Sequence, residues 1–422
     1  MKERYHSIHI NMDQCIGCTN CIRSCPMEAM RVLNGKVSIM ADRCVDCGEC
    51  VRNCKSYAID CERGSIEDIK NYDYTIVIPT ASLYAQFNNL NDTNIVLTAL
   101  KELGFDMVFE CTGAQEIVSE LTREYIKANK DKWPIISSSC PAVLRIILNR
   151  FPGLIDNLLP IRPPVEAAAI LAVDKAMKET GLSRDKIGVF FIAPCPSKIA
   201  SFVVPVGSMS ANIDVSIAIK DIYPLLLEKM KQVHENPESL SISGRVGNGW
   251  SVSGGEAAGT FDENAIAASG LKNVFSVLEA IEDEKNKKEL KFIELRACPN
   301  GCIGGPFNLE NPFIAASKIK SIAKYLPVTQ SHVCDFHEEQ IEKLYSDGSF
   351  EYDPVYNLGS DFVESMQNLK RIEMLMEKLP HYDCGSCGCP SCKALAEDII
   401  RGKRVLNNCV YYKKNIEIGS TI

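Results

Sequence analysis

Glu294-Leu-Arg-Ala-Cys298-Pro-Asn-Gly-Cys302-Ile-Gly-Gly305 sets the reading of the whole chain. Cys298 and Cys302 lie four apart, with glycines closing in behind them. So much glycine makes a poor helix or strand interior. It suits a turn where backbone must approach something bulky and buried. Thiolates beside it point to an iron–sulfur centre as that object. Two cysteines do not complete a four-iron cube, so the remaining ligands come from elsewhere in the chain. Cys140 in Ser137-Ser-Ser-Cys-Pro141 and Cys195 in Ala193-Pro-Cys-Pro-Ser-Lys198 are the natural candidates.

The surroundings of these cysteines read as α/β layers with mostly parallel sheets. Tyr74–Pro79, Met107–Phe109, Pro134–Ile136, Gly188–Ala193 and Lys291–Leu295 are apolar, β-rich runs, the pattern of buried strands. Asn94–Leu103, Ala114–Lys127 and Pro141–Arg150 between them have helical patterns. Strand–helix alternation of this kind builds a layered α/β domain, and chemistry in such folds gathers at the carboxyl ends of strands. Cys140, Cys195 and Cys298 each follow a strand-like run, an independent reason to group them.

The chain has 422 residues, 46% of them hydrophobic, enough for a large central domain with smaller modules beside it. A net charge of −8 gives no electrostatic case for nucleic acid. No apolar run approaches the roughly 20 residues that span a bilayer. Residues 1–10 lack the apolar segment of a signal peptide, so a cytoplasmic location with no membrane partner is expected. The twenty cysteines cluster at two- and three-residue intervals, which favours metal over disulfides in such a setting.

Cys15-x-x-Cys18-x-x-Cys21-x-x-x-Cys25-Pro26 is followed by Cys44-x-x-Cys47-x-x-Cys50-x-x-x-Cys54. This is the bacterial two-cluster ferredoxin spacing, in which the fourth cysteine of each run ligates the other cluster. One cube then takes Cys15, Cys18, Cys21 and Cys54, and the other takes Cys44, Cys47, Cys50 and Cys25. Near the far end stand Cys384-Gly-Ser-Cys387-Gly-Cys-Pro-Ser-Cys392 and Cys409. They resemble a small four-cysteine iron–sulfur domain of redox and sensory proteins, with Cys389 at a position usually apolar or aromatic. Zinc held by the same thiolates is the alternative for both regions. Leu369, Ile372, Leu375 and Met376 recur at helical spacing in Phe362–Met376 and are expected to pack against a neighbour.

Taken in order, the motifs around Cys140, Cys195 and Cys298–Cys302 resemble the three signatures of the [FeFe]-hydrogenases. The resemblance runs from about Tyr74 to about Lys324. It implies that Cys140, Cys195, Cys298 and Cys302 hold a cube, with Cys302 shared with a diiron subsite carrying CO, cyanide and dithiolate ligands. It implies that Lys198 donates to a cyanide, that Pro79-Thr80-Ala81 matches a turn after the first strand, and that Trp250, Ser253, Gly254 and Gly255 form the glycine turn beside the diiron unit. The departures are specific. Ser139 stands where the family has a proton-relaying cysteine, and a hydroxyl is a far weaker acid than a thiol with a pKa near about 8.5. Ala193 and Arg296 replace methionines. Glu120 is offset by one from a proton-relaying glutamate. Cys111 is read as a buried structural thiol, with a substitute thiol near the site as the alternative.

The expected organisation is a two-cluster ferredoxin-like α+β domain at 1–65, a hydrogenase large-subunit-like domain at 70–325, a helical connector at 326–380 and a small helical [4Fe-4S] domain at 381–415, with one cluster module on each side of the central site. The expected cofactors are four [4Fe-4S] clusters and the diiron subsite. The expected function is a slow, divergent, sensory-type hydrogenase interconverting protons and electrons with dihydrogen. Its partners would be an electron-transfer protein such as ferredoxin, hydrogenase maturation proteins, a signalling protein and a second copy in a homodimer. The competing expectation is an iron–sulfur electron-relay or assembly protein that keeps the cube but lacks the diiron subsite.

Overall fold

A computed structural model describes residues 5–283, 289–355 and 358–412. It divides into two units, Arg63–Tyr352 and a second built from both ends of the chain, Met1–Glu62 with Asp353–Ile422. Residues 1–4 of the expected first module and 413–415 of the expected last one lie outside the described residues.

In the unit built from the ends, β1 (Ile8–Ile10), β2 (Met30–Leu33), β3 (Lys36–Ile39) and β4 (Ile59–Cys61) form two antiparallel ladders, β1 on β4 and β2 on β3. Each cysteine run wraps into a short helix, Asn20–Ser24 and Glu49–Asn53. Gly48, at φ +78°, starts the second helix in a conformation that glycine adopts without strain. The helices Phe362–Met376 and Cys392–Ile400 belong to the same unit and share a core of Ile372, Leu379, Cys389 and Leu395. Leu375 and Met376 pack against that core, but Leu369 is exposed. Its expected place is taken by Asn368, buried because its amide donates to the Leu358 carbonyl at 2.7 Å. The sequence reading set the two cluster modules on opposite sides of the central domain, whereas the structure joins them in one unit. Buried ion pairs between residues more than 350 positions apart accomplish this, and no local pattern reports such pairs.

The other unit holds two parallel sheets. β5 (Tyr74–Ile78), β6 (Met107–Val108), β7 (Ile135–Ile136), β8 (Ile187–Ala193), β9 (Val215–Ala218), β10 (Ala265–Ser269) and β11 (Phe292–Arg296) are arranged in the orders β6-β5-β8-β9 and β10-β11-β7. All pairings are parallel. Every residue of β8 and β11 is buried, which is why β8 reads as a continuous apolar run rather than an alternating one, while β11 carries Glu294 and Arg296 buried within it. Phe105 and Phe190 meet edge-to-face at 5.3 Å in the core of the first sheet. The stretch 326–380 holds the helices Glu338–Glu342 and Phe362–Met376, and the boundary between the units falls within it, at Asp353.

Candidate metal centre

The carboxyl ends of four strands supply the site. Thr80 follows β5, Cys140 follows β7, Cys195 follows β8 and Cys298 follows β11. Pro141 and Pro196 open the helices after Cys140 and Cys195, because a first-turn proline gives up only an N–H that has no partner there. Glycine draws the last loop in. A side-chain carbon at Gly305 would sit 2.3 Å from the carbonyl oxygen of Pro194, the residue before Cys195. One at Gly255 would sit 2.0 Å from the Gly249 carbonyl oxygen. Only a residue without Cβ lets these backbones touch. Ile303 N donates to Ser251 O at 3.1 Å, Phe307 N to Pro194 O at 3.1 Å and Ser253 N to Asn300 O at 2.9 Å, so three loops are laced together.

The cysteines respond to one another electrostatically. Burial pushes the Cys195 thiol up to about 12; Lys198 pulls it back, while Cys302 and Cys140 push it further up. Thiols held neutral by burial take up thiolate charge only when a cation shares the site, as metal ligation requires. Cys298 sits on the same turn as Cys302 and its carbonyl accepts Gly301 N at 3.2 Å. Among the described residues, no group of three Cys, His, Asp or Glu is gathered tightly enough for a single metal ion.

Cys302 lines a cavity with Thr80, Ser82, Cys111, Gln115, Ser139, Lys198, Trp250, Ser251 and Arg296. Four buried polar atoms on this wall, Thr80 Oγ1, Ser82 Oγ, Gln115 Oε1 and Ser251 Oγ, have no hydrogen-bond partner among the described residues. Lys198 is buried beside them and forms no ion pair among the described residues. Unpaired buried polar groups are costly, so a wall carrying three such hydroxyls and an ammonium fits a polar, anionic guest next to Cys302, while Gln115 Oε1 is placed to accept from a donor. Cys111 also belongs to this wall, so it is not merely a thiol of the core. Burial first, then Cys302 and Glu110, raise it to about 12 against the pull of Lys198. Of the other expected residues, Pro79 O accepts Cys111 N at 3.1 Å, and Gly254 N donates to Glu294 at 3.1 Å. Pro79, Ser253 and Gly254 thus shape the loops without lining the cavity. Glu120 is not brought to it either: its carboxylate accepts Val333 N at 3.1 Å and lies 3.8 Å from His332.

Sequence reasoning missed Glu256. Its fully buried carboxylate accepts Ser137 Oγ at 2.6 Å, Ser139 Oγ at 2.8 Å and Arg296 Nη2 at 2.6 Å. Arg296 also reaches Glu294 at 3.2 Å and stacks 5.6 Å over the Trp250 ring. Burial raises the Glu256 carboxyl above its ordinary value; Arg296 opposes this and Glu294 reinforces it. Arg296 remains charged, since Glu256, Cys302 and Glu294 outweigh its burial. Ser139 therefore joins the cavity wall to a buried carboxyl whose affinity for a proton is raised. The signal was present in Ser253-Gly-Gly-Glu256, but glycine explained that turn and the acid went unread.

In the unit built from the ends, Cys25, Cys44, Cys47 and Cys50 line one cavity, with Ile8, Met27 and Met30. This is the crossed set that the spacing implied. Cys15 and Cys18 act on the Cys21 thiol, which burial raises to about 11. Cys384, Cys387, Cys392 and Cys409 line a third cavity, and Cys389 is on its wall too. A hydrogen bond from Cys389 lowers the Cys387 thiol to about 6.

Three family models match the chain: the C-terminal domain of the iron only hydrogenase large subunit over residues 74–262 and 256–306, a 4Fe-4S dicluster domain over 7–55, and an Fe-S cluster domain over 379–411. The chain is 24% identical over 375 residues to iron hydrogenase 1 of Clostridium pasteurianum, covering 72% of this chain and 65% of that protein. It thus spans just under two thirds of that relative's length. It is also 26% identical over 186 residues to the cytosolic Fe-S cluster assembly factor NAR1 homolog of Schizosaccharomyces japonicus, covering 38% of this chain and 35% of that protein. Among solved structures, an [FeFe]-hydrogenase from work on oxygen inactivation of the H cluster superposes with a TM-score of 0.51 at 11% identity, covering 69% of this chain and 97% of that one. At this identity the likeness concerns the fold alone. No described helix is long and apolar enough to cross a membrane.

Proposed function

Because the chain belongs to the family of the iron-only hydrogenase large subunit, we propose that Cys140, Cys195, Cys298 and Cys302 hold a four-iron cube, that Cys302 also carries a diiron unit, and that the site interconverts protons and electrons with dihydrogen. The observation that carries this reading is the wall of unpaired polar atoms at Thr80, Ser82, Gln115 and Ser251, with the buried Lys198 among them. A cube alone does not require polar groups beyond its thiolates, whereas iron-bound cyanide accepts the bonds that these hydroxyls and the ammonium have to give. When bound, the diiron unit supplies the chemistry of joining protons and electrons.

The chain supplies the rest. Lys198 and the hydroxyls orient the guest, Trp250 and Pro194 keep water out, and Ser139 holds a hydroxyl at the cavity wall. The Glu256 carboxylate, 2.8 Å behind Ser139, takes up and returns a proton through that hydroxyl. A serine hydroxyl in place of a thiol makes the proton route slow, which suits a reporter of hydrogen or redox state more than a catabolic enzyme. Electrons would pass through the [4Fe-4S] clusters of the other unit to a ferredoxin-like carrier or a signalling protein.

The second reading, an iron–sulfur relay or assembly protein without the diiron unit, draws support from the match to a cluster assembly factor. Infrared spectra of the protein after maturation decide between them. Bands from iron-bound CO and cyanide support the hydrogenase reading. A protein with its full iron content in cubes and no such bands, after treatment with competent maturation proteins, refutes it.

A further inference from the structure

The two cluster modules at the chain ends are fastened by contacts that reach the walls of both cavities. Arg31 Nε and Nη2 grip both oxygens of Asp398 at 2.6 and 3.3 Å, and Arg43 Nη2 meets Glu397 at 2.6 Å. Each of these four side chains is less than 10% exposed. Burying two ion pairs is expensive unless geometry and further hydrogen bonds compensate, so this junction is built to one arrangement rather than left as a loose surface contact. Val32 N donates to Gly388 O at 2.8 Å, and Arg404 bridges Val32 O at 2.6 Å and Cys387 O at 2.7 Å. Arg23, between Cys21 and Cys25 in sequence, reaches Cys384 O at 3.3 Å.

These contacts connect cluster walls. Met30 lines the cavity of Cys25, Cys44, Cys47 and Cys50. Val32 stands two residues along the same strand, about 7 Å away at the usual rise per residue, and bonds to the Cys387–Gly388 backbone. A second line runs from Cys389, on the wall of the C-terminal cavity, to Asp398 at 3.5 Å, to Arg31 at 2.6 Å and back to Met30 O at 3.0 Å.

We propose that the C-terminal cluster is in series with the ferredoxin-type clusters, one electron passing directly between the Cys384/Cys387/Cys392/Cys409 cube and the Cys25/Cys44/Cys47/Cys50 cube, with Arg31 and Asp398 as the positioning pair. Each transfer oxidises one cube and reduces the other by a single electron, which an external one-electron carrier supplies or removes. The chain ends thus carry one relay of three cubes rather than two separate outlets. This rests on the cluster assignments but not on the diiron unit, so the infrared test can fail without touching it.

The experiment is electron paramagnetic resonance on the full chain, iron-loaded and reduced with dithionite under anaerobic conditions. Three variants are measured beside the wild type: Cys392→Ala, Arg31→Gln combined with Asp398→Asn, and Asp398→Glu. Iron is assayed in each. Expected in the wild type are mutually broadened signals that resist microwave saturation. Cys392→Ala loses one cube's worth of iron, and the ferredoxin-type signals narrow and saturate more easily. The neutralised pair keeps its iron but shows the C-terminal signal separately resolved, whereas Asp398→Glu, which keeps the charge, retains the coupling. The inference is overturned by unchanged linewidth and saturation after loss of the C-terminal cube. Should Cys392→Ala not fold, an unchanged spectrum in the iron-replete neutral pair overturns it equally.

Discussion

Arg296→Met installs the residue that the motif resemblance leads one to expect at this position and removes the only cation that neutralises Glu256 and Glu294 in the described contacts. Arg296 lies 2.6 Å from Glu256 and 3.2 Å from Glu294, and none of the three side chains is more than 4% exposed. At an effective dielectric constant near about 20, each pair attracts by roughly 5 kcal/mol before desolvation is charged against it. Measured losses on removing one partner of a buried pair are about 3–5 kcal/mol, because the abandoned charge stays buried. We expect Arg296→Met to cost the cluster-free protein about 3–5 kcal/mol in urea unfolding followed by Trp250 fluorescence. Glu256→Gln should recover part of that loss in the double variant, with a coupling of about 1–3 kcal/mol. The pH dependence has a fixed sign. Without Arg296, burial and Glu294 both raise Glu256. Its stabilising contribution is then present below the unfolded pKa of about 4.3 and lost as pH rises through the folded value, so the Met variant weakens more steeply with rising pH than the wild type. A cost below about 1 kcal/mol, or additivity within about 0.5 kcal/mol, would refute the account of Glu256 as a charge held by Arg296.

Glu256→Gln in matured protein should lower hydrogen turnover by about 100-fold, the low end for a lost proton-transfer group, and remove a limb of its pH profile while leaving the infrared bands intact. Unchanged turnover would exclude the route through Ser139. Ser139→Cys should raise turnover, since a thiol ionises more readily than a hydroxyl; a decrease with bands unchanged would count against proton delivery as the slow step. Gly304→Ala puts a carbon 1.9 Å from the Pro299 carbonyl oxygen, and the strain of about 1–3 kcal/mol or more should lower the urea midpoint and the iron retained by the central domain; full iron at an unshifted midpoint would show that the loop has room. Glu166 is raised by burial, with Asn212 opposing, so the wild type should lose stability relative to Glu166→Gln as pH climbs above about 4.3. A wild type that gains stability relative to Glu166→Gln as pH rises contradicts that sign.

What the sequence disclosed and what it hid differ by the range of the interaction. Cysteine spacing and apolar runs are local, and they led to the parallel strands β5, β7, β8 and β11 and to the grouping of Cys140, Cys195 and Cys302. Lys198 and Arg296 were legible as site residues through the motif resemblance, since they stand inside the motifs of Cys195 and Cys298. Ser82, Gln115 and Ser251 were not: hydroxyls and amides are common, and only the fold shows them buried without partners on one wall. Glu120 misled because sequence offset stood in for direction. On an α-helix, a shift of one residue turns a side chain by about 100°, and the helix Cys111–Ala128 turns Gln115 toward the cavity and Glu120 toward His332. The joining of the two end modules was hidden for the same reason of range, since Arg31 and Asp398 carry no mark of each other.

The choice between a complete hydrogenase site and a cube without its diiron unit turns on where the chain tolerates cost. Elsewhere in this domain buried carboxylates are fully engaged. Glu116 accepts four backbone N–H groups, from Gly244, Gly247, Gln330 and Ser331, and Glu110 accepts bonds from Tyr84, Ser241, Ile242 and Ser243. Yet around Cys302 four polar atoms are left without partners among the described residues, and at about 1–3 kcal/mol for each unsatisfied group that wall alone costs a sizeable share of the 5–15 kcal/mol by which a typical protein stays folded. A relay that needed only the cube would lose nothing by lining the cavity with alanine and valine, and would gain stability. The unpaired hydroxyls of Thr80, Ser82 and Ser251 beside Lys198 on this wall therefore favour a guest that accepts their hydrogen bonds, and the hydrogenase reading over the relay.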